Sequence, residues 1–119
     1  MVSKKNKLSD AYKNLSAALK QYHGLKNELN LLTVIKAFEV CVEYVWRELK
    51  FQVEDQGLEA PSPKQAVKQA AKLGIIDQPQ TWLDCIDARN NSVHDYFGIS
   101  DQEFIALAGE LLSLMKALV

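Results

Sequence analysis

The chain has 119 residues, 48 % of them hydrophobic and 24 % charged, with a formal net charge of −1. A chain of this length and balance buries one core but not two, and it lacks the global basic field of a general nucleic-acid binder. No run of about eighteen uncharged apolar residues is present, so no membrane span is expected.

The start reads Met-Val-Ser-Lys-Lys-Asn-Lys, with no apolar stretch behind it. We read no secretory signal there and expect a cytoplasmic protein. Residues 1–26 carry six lysines against Asp10, whereas residues 77–110 carry seven acids against Arg89 alone. In the first segment Leu8, Ala11, Tyr12, Leu15, Ala18, Leu19 and Tyr22 recur at helical spacing. Ser9 or a neighbour would cap this helix and Gly24 would end it. His23, beside that glycine, reads as a surface residue near the negative end of the helix dipole.

The second segment is the longest. Leu31, Ile35, Phe38, Val42, Val45 and Leu49 are spaced 4, 3, 4, 3 and 4. Leu32, Val34, Cys41 and Trp46 widen the stripe. So broad a stripe suits a central helix with neighbours on two sides, or one that also serves an interface. Asn27 or Asn30 could cap it, and Gly57 would close it. Cys41 and Cys85, the two cysteines, sit among apolar neighbours and read as reduced core residues rather than a disulfide or part of a metal site.

Ala60-Pro61-Ser62-Pro63 is the clearest break. Ser62 reads as an N-cap and Pro63 as the first residue of a short third helix running to Gly74. Ala66, Val67, Ala70 and Ala71 form its apolar side, and Lys64, Lys68 and Lys72 recur one turn apart on the other. A fourth helix starts near Pro79 and shows Trp82, Leu83, Cys85 and Ile86. The fifth opens on Ser100 and Glu103, a capping-box pair, and continues through Phe104, Leu107, Ala108, Leu111, Leu112, Met115 and Leu118. No segment alternates with period two for long enough to argue a strand. The expectation is one all-α domain over 1–119, an up-and-down antiparallel bundle of four to five helices.

Residues 87–98 break the pattern: Asp-Ala-Arg-Asn-Asn-Ser-Val-His-Asp-Tyr-Phe-Gly. Asn90, Asn91 and Ser92 compete for backbone hydrogen bonds and are poor helix-interior residues. On a regular helix Arg89 and His94, five apart, would stand about 140° apart around the axis. For both to reach one phosphate the helix must loosen or end near positions 90–93. Read without any family, Arg89 could instead bond Asp84 or Asp87 at a helix end, with His94 capping it.

Arg89-Asn90-x3-His94-x-Tyr96 resembles the HEPN superfamily, specifically its toxin branch with the Arg-x4-His-x-Tyr motif. Ser62-Pro63, Gly74-Ile75-Ile76-Asp77 and Trp82-Leu83 also look like that branch, which includes proteins labelled nucleotidyltransferase substrate-binding subunits. The likeness runs from about Ala11 to Leu118. It implies metal-independent RNA cleavage with no cofactor, with His94 as acid–base group and Arg89 stabilising charge on the phosphoryl oxygens. Asn90 could orient the histidine or the substrate. Apart from the resemblance, Lys64, Lys68 and Lys72 read either as a solvated helix face or as a stripe that guides the RNA backbone. Tyr96 would be AMPylated by a minimal nucleotidyltransferase antitoxin, placing negative charge beside the site. The implied partners are RNA, that antitoxin and a second copy in a homodimer, with neither DNA nor membrane. The alternative is a non-catalytic subunit in which Arg89 binds phosphate for a nucleotidyltransferase without cleavage.

Overall fold

The computed structural model describes residues 4–92 and 100–119, with side chains over 7–90 and 100–119. Five α-helices follow in chain order: α1 Lys4–Gly24, α2 Glu28–Asp55, α3 Pro63–Lys72, α4 Pro79–Ser92 and α5 Asp101–Met115. No strand occurs among the described residues. The all-α bundle expected from periodicity is what the chain forms.

Helix α2 has 28 residues, about 42 Å at 1.5 Å per residue, and packs against each of the other four. Its inward stripe is Leu31, Val34, Ile35, Phe38, Cys41, Val42, Val45, Leu49 and Val53, all buried. Phe38 meets Phe104 of α5 edge to face, with ring centroids 4.9 Å apart, a favoured aromatic geometry. Leu8, Leu15 and Leu19 fill the core from α1, and Leu111 and Met115 from α5. Leu32 departs from the expected stripe, for it is 53 % exposed on the outer side of α2. Trp46 is half-buried at the edge.

The ends of the helices follow their local chemistry. Asn27 caps α2 by accepting the Asn30 backbone N–H at 2.8 Å. Asn30 does not cap its own helix: its side-chain amide donates to the Leu25 carbonyl at 2.7 Å and the Gln21 carbonyl at 3.4 Å, closing the end of α1. At the other end of this pair the Cys41 thiol donates to the Ala11 carbonyl at 3.2 Å. Residue 30 thus lies level with 21 and residue 41 with 11, which makes α1 and α2 antiparallel. Helix α1 begins at Lys4, so Ser9 lies within it rather than at its cap.

Ser62 accepts the Gln65 N–H at 3.2 Å, with Pro63 in the first turn of α3. Ser100 and Glu103 form the reciprocal capping box of α5. Gly57 and Gly74 turn the chain at φ +88° and +75°, conformations that glycine adopts without steric cost. Gln78 holds φ +53° just before Pro79, a left-handed conformation that costs a side-chain-bearing residue free energy.

A candidate anion site at the end of helix α4

Helix α4 starts at Pro79, whose fixed φ suits a first helical turn. The Trp82 indole donates to the Asp77 carbonyl at 3.2 Å and holds the entry loop. Trp82, Cys85 and Ile86 face the core and are at most 5 % exposed. Arg89 follows Trp82 by seven residues and so continues that inward stripe onto the last turns of the helix. Its stem runs toward α2 and its guanidinium arrives at the rim of the core.

There it meets a carboxylate that the sequence reading did not single out. Arg89 Nη2 donates to Glu43 Oε2 at 3.3 Å. The same oxygen accepts the Trp46 indole N–H at 3.3 Å. The other oxygen of Glu43 accepts Arg47, at 2.9 Å from Nε and 2.7 Å from Nη2. Glu43 therefore gathers three donors, two from its own helix and one from 46 residues along the chain. The expected local partners Asp84 and Asp87 are not the ones that this ion pair uses. They sit on exposed turns of α4, off the stripe that points inward. The signal for Glu43 was present: it lies one turn from Trp46 and Arg47 on α2, and Arg89 keeps the inward spacing of α4.

The Arg89 side chain is 39 % exposed and that of Glu43 30 %. The guanidinium is accordingly held against Glu43 while remaining partly exposed. Its planar array of N–H donors matches two phosphate oxygens at once. Glu43 orients the fork and also competes with the anion for it.

Asn90, next along α4, is exposed. Helix α4 continues through Asn90 and Asn91 to Ser92, so the polar run does not stop the helix at its first residues. His94 and Tyr96 lie outside the described residues, as does the rest of the motif segment after Ser92. Lys64 pairs with Asp87 at 2.7 Å and ties α3 to α4. Lys68 and Lys72 continue from it along the exposed side of α3.

Other chemistry is weak. Cys41 and Cys85 are free and buried. Burial pushes the Cys41 thiol up to about 12. Burial, with Asp84 and Glu110 nearby, does the same to Cys85, also to about 12. Thiols this far above neutral pH are poor nucleophiles. Among the described residues no group of His, Cys, Asp and Glu could hold a metal ion. No helix there is long and apolar enough to cross a membrane.

Over residues 4–108 the sequence matches the family model described as nucleotidyltransferase substrate binding protein like. No curated protein matches.

Proposed function

The chain belongs to the family of nucleotidyltransferase substrate-binding-like proteins, and from that premise we propose that it is the non-catalytic helical partner of a nucleotidyltransferase. In this role it acts as one cytoplasmic domain, paired with a second copy, and holds a nucleotide or other phosphate-bearing substrate at Arg89. The observation that carries the reading is the half-exposed Arg89 guanidinium, fixed across the bundle by Glu43. Charge-assisted, bidentate contact to phosphate needs such a preset fork and no acid–base group of its own. The surrounding acids Asp84, Asp87 and Glu43 disfavour a long polyanion that must cross the whole face more than a small ligand that reaches the one guanidinium.

ATP titrated into the purified protein by calorimetry tests this reading. Wild type should bind, and Arg89→Ala should weaken binding about tenfold or more, the loss of a charged hydrogen-bonded contact. Equal affinity in both proteins would refute it.

A second reading is favoured by one specific feature, the complete Arg89, His94 and Tyr96 spacing. Here the protein is a metal-independent endoribonuclease toxin, and a minimal nucleotidyltransferase antitoxin blocks it by AMP transfer to Tyr96. Asn90 orients the reacting groups and Lys64, Lys68 and Lys72 contact RNA. Expression then arrests growth, His94→Ala relieves the arrest, and Tyr96→Phe escapes the antitoxin. Wild-type protein that leaves total RNA intact would exclude this reading and leave the first standing.

A further inference from the structure

The surface at the turn between α1 and α2 is apolar where a solvated face would be polar. Leu25 in the turn is 63 % exposed, and Leu29 and Leu32 on α2 are 71 % and 53 % exposed. From these leucines a groove of about 570 Å³ runs between the two helices, bordered by Ala17, Ala18, Leu32, Lys36, Ala37 and Val40. It is open because alanines line both walls and their methyl groups leave the space unfilled. At 100° per residue Leu29, Thr33, Lys36 and Val40 fall within an arc of about 60° on α2. From Leu29 to Val40 the helix runs about 17 Å, or roughly three turns. A groove of this length takes a helix with apolar anchors at i, i+3 or i+4, and i+7.

The charge around the groove says what else that helix carries. Lys36 is the one charged residue that borders it. Lys13 and Lys20, both exposed, stand within about 60° of Ala17 around α1. Residue 41 lies level with 11 and residue 30 with 21, so Lys13 flanks the Val40 end of the groove and Lys20 the Leu32 end. No ion pair among the described residues uses Lys13, Lys20 or Lys36. Asp10 is the single acid of α1 against five lysines. Glu28 and Glu39 lie at least about 60° outside the arc on α2. Both lips are therefore cationic, and they complement carboxylates on either side of an apolar row. A second copy seated groove to groove would instead set lysines against lysines.

We propose that the groove between α1 and α2 receives a helix of the nucleotidyltransferase partner, one whose apolar row is flanked by Asp or Glu. This rests on the partnership in the proposed function and names its surface. The apolar row fills the space over Ala17 and Ala37 and covers Leu29 and Leu32. The flanking carboxylates meet Lys36 on one lip and Lys13 and Lys20 on the other. Glu43, which holds Arg89, follows Lys36 by about 10 Å on the same side of α2. A partner in the groove thus sits next to the anion site.

Two probes test the surface. The first is each minimal nucleotidyltransferase of the same genome, co-expressed with the full chain and assayed by size exclusion with light scattering. The second is a synthetic helical peptide with leucines at i, i+3 and i+7 between glutamates, read by fluorescence anisotropy. Wild type should form the complex and bind the peptide. Ala17→Trp fills the groove from an exposed position and should weaken both about tenfold or more. Lys36→Glu should weaken both about fivefold, more at low salt, and should shift preference toward a lysine-flanked peptide. Neither substitution should change ATP binding at Arg89. A complex that survives Ala17→Trp and Lys36→Glu unchanged would overturn this surface and leave the partnership standing. A wild type that binds no nucleotidyltransferase would overturn the partnership and the docking together. Equal binding of glutamate-flanked and lysine-flanked peptides would overturn the acidic character of the partner helix. Self-association of wild type that Ala17→Trp abolishes would assign the groove to a second copy and overturn the proposal.

Discussion

The two sides of α2 obey different rules although they share one backbone. Inward, from Leu31 to Val53, every apolar position is filled against a neighbour, and Phe38 and Leu49 are fully buried. Outward, leucine and phenylalanine stand in solvent among Lys36, Glu43 and Arg47. The inward side specifies the fold and holds no reactive chemistry. The outward rim holds Glu43 and, through it, Arg89. Two carboxylates five residues apart show the same contrast. Glu43 is half-buried and gathers three donors, whereas Glu48 is 5 % exposed in the core seam and accepts the Gln52 amide at 2.7 Å. A helix that must serve both a core and a site separates the two by angle rather than by length.

Substitutions break this contrast in a definite order. Phe38→Ala removes a fully buried ring and its edge contact with Phe104, and should cost about 3–5 kcal/mol in a urea titration. A cost comparable to that of a surface substitution would mean the inward side is not the core. Asn30→Ala removes the amide that closes α1 at Leu25 and leaves that carbonyl without its 2.7 Å donor. The loss should be about 1–2 kcal/mol. Ser100→Ala opens the capping box of α5 and should cost about 1 kcal/mol. Arg47→Ala on the outward side should cost under about 0.5 kcal/mol, because its pair with Glu43 is exposed and screened.

The thiols give a pH dependence with a definite sign. In the folded chain both stay neutral to about 12, against an ordinary value of 9.0. Unfolding lets them ionise at lower pH, so their contribution to stability is complete below about 9 and shrinks as pH rises toward 12. The urea midpoint should fall over that range, and less steeply when Cys41→Ala and Cys85→Ala are combined. Thiol reagents at neutral pH should label neither cysteine until the chain unfolds.

Most of the fold was legible because its helices bury one continuous stripe each and end at explicit punctuation. Ser62-Pro63 and Ser100 with Glu103 declare helix starts by chemistry confined to four residues. Asn30 was harder, since its amide serves a neighbouring helix and that contact exists only once α1 and α2 pair. Leu32 widens the stripe in sequence yet is 53 % exposed, because apolar character alone does not say which side of a broad stripe faces a neighbour. At the candidate site, Arg89 stands out in the sequence by type and motif, but its contact with Glu43 does not. The Glu43 contact spans 46 residues, and local spacing favoured the nearer Asp84 and Asp87. His94 and Tyr96, equally legible as a motif, lie outside the described residues, so the geometry of the site is carried by Arg89 and Glu43.

The central claim is that Glu43 presents the Arg89 guanidinium as a preset receptor for phosphate. Calorimetry of ATP against wild type, Arg89→Ala and Arg89→Lys addresses it most directly. The account predicts binding by wild type, a loss of about tenfold or more in the alanine variant, and incomplete recovery in the lysine variant, which keeps the charge but lacks the planar fork. Wild-type affinity retained by Arg89→Ala would contradict it.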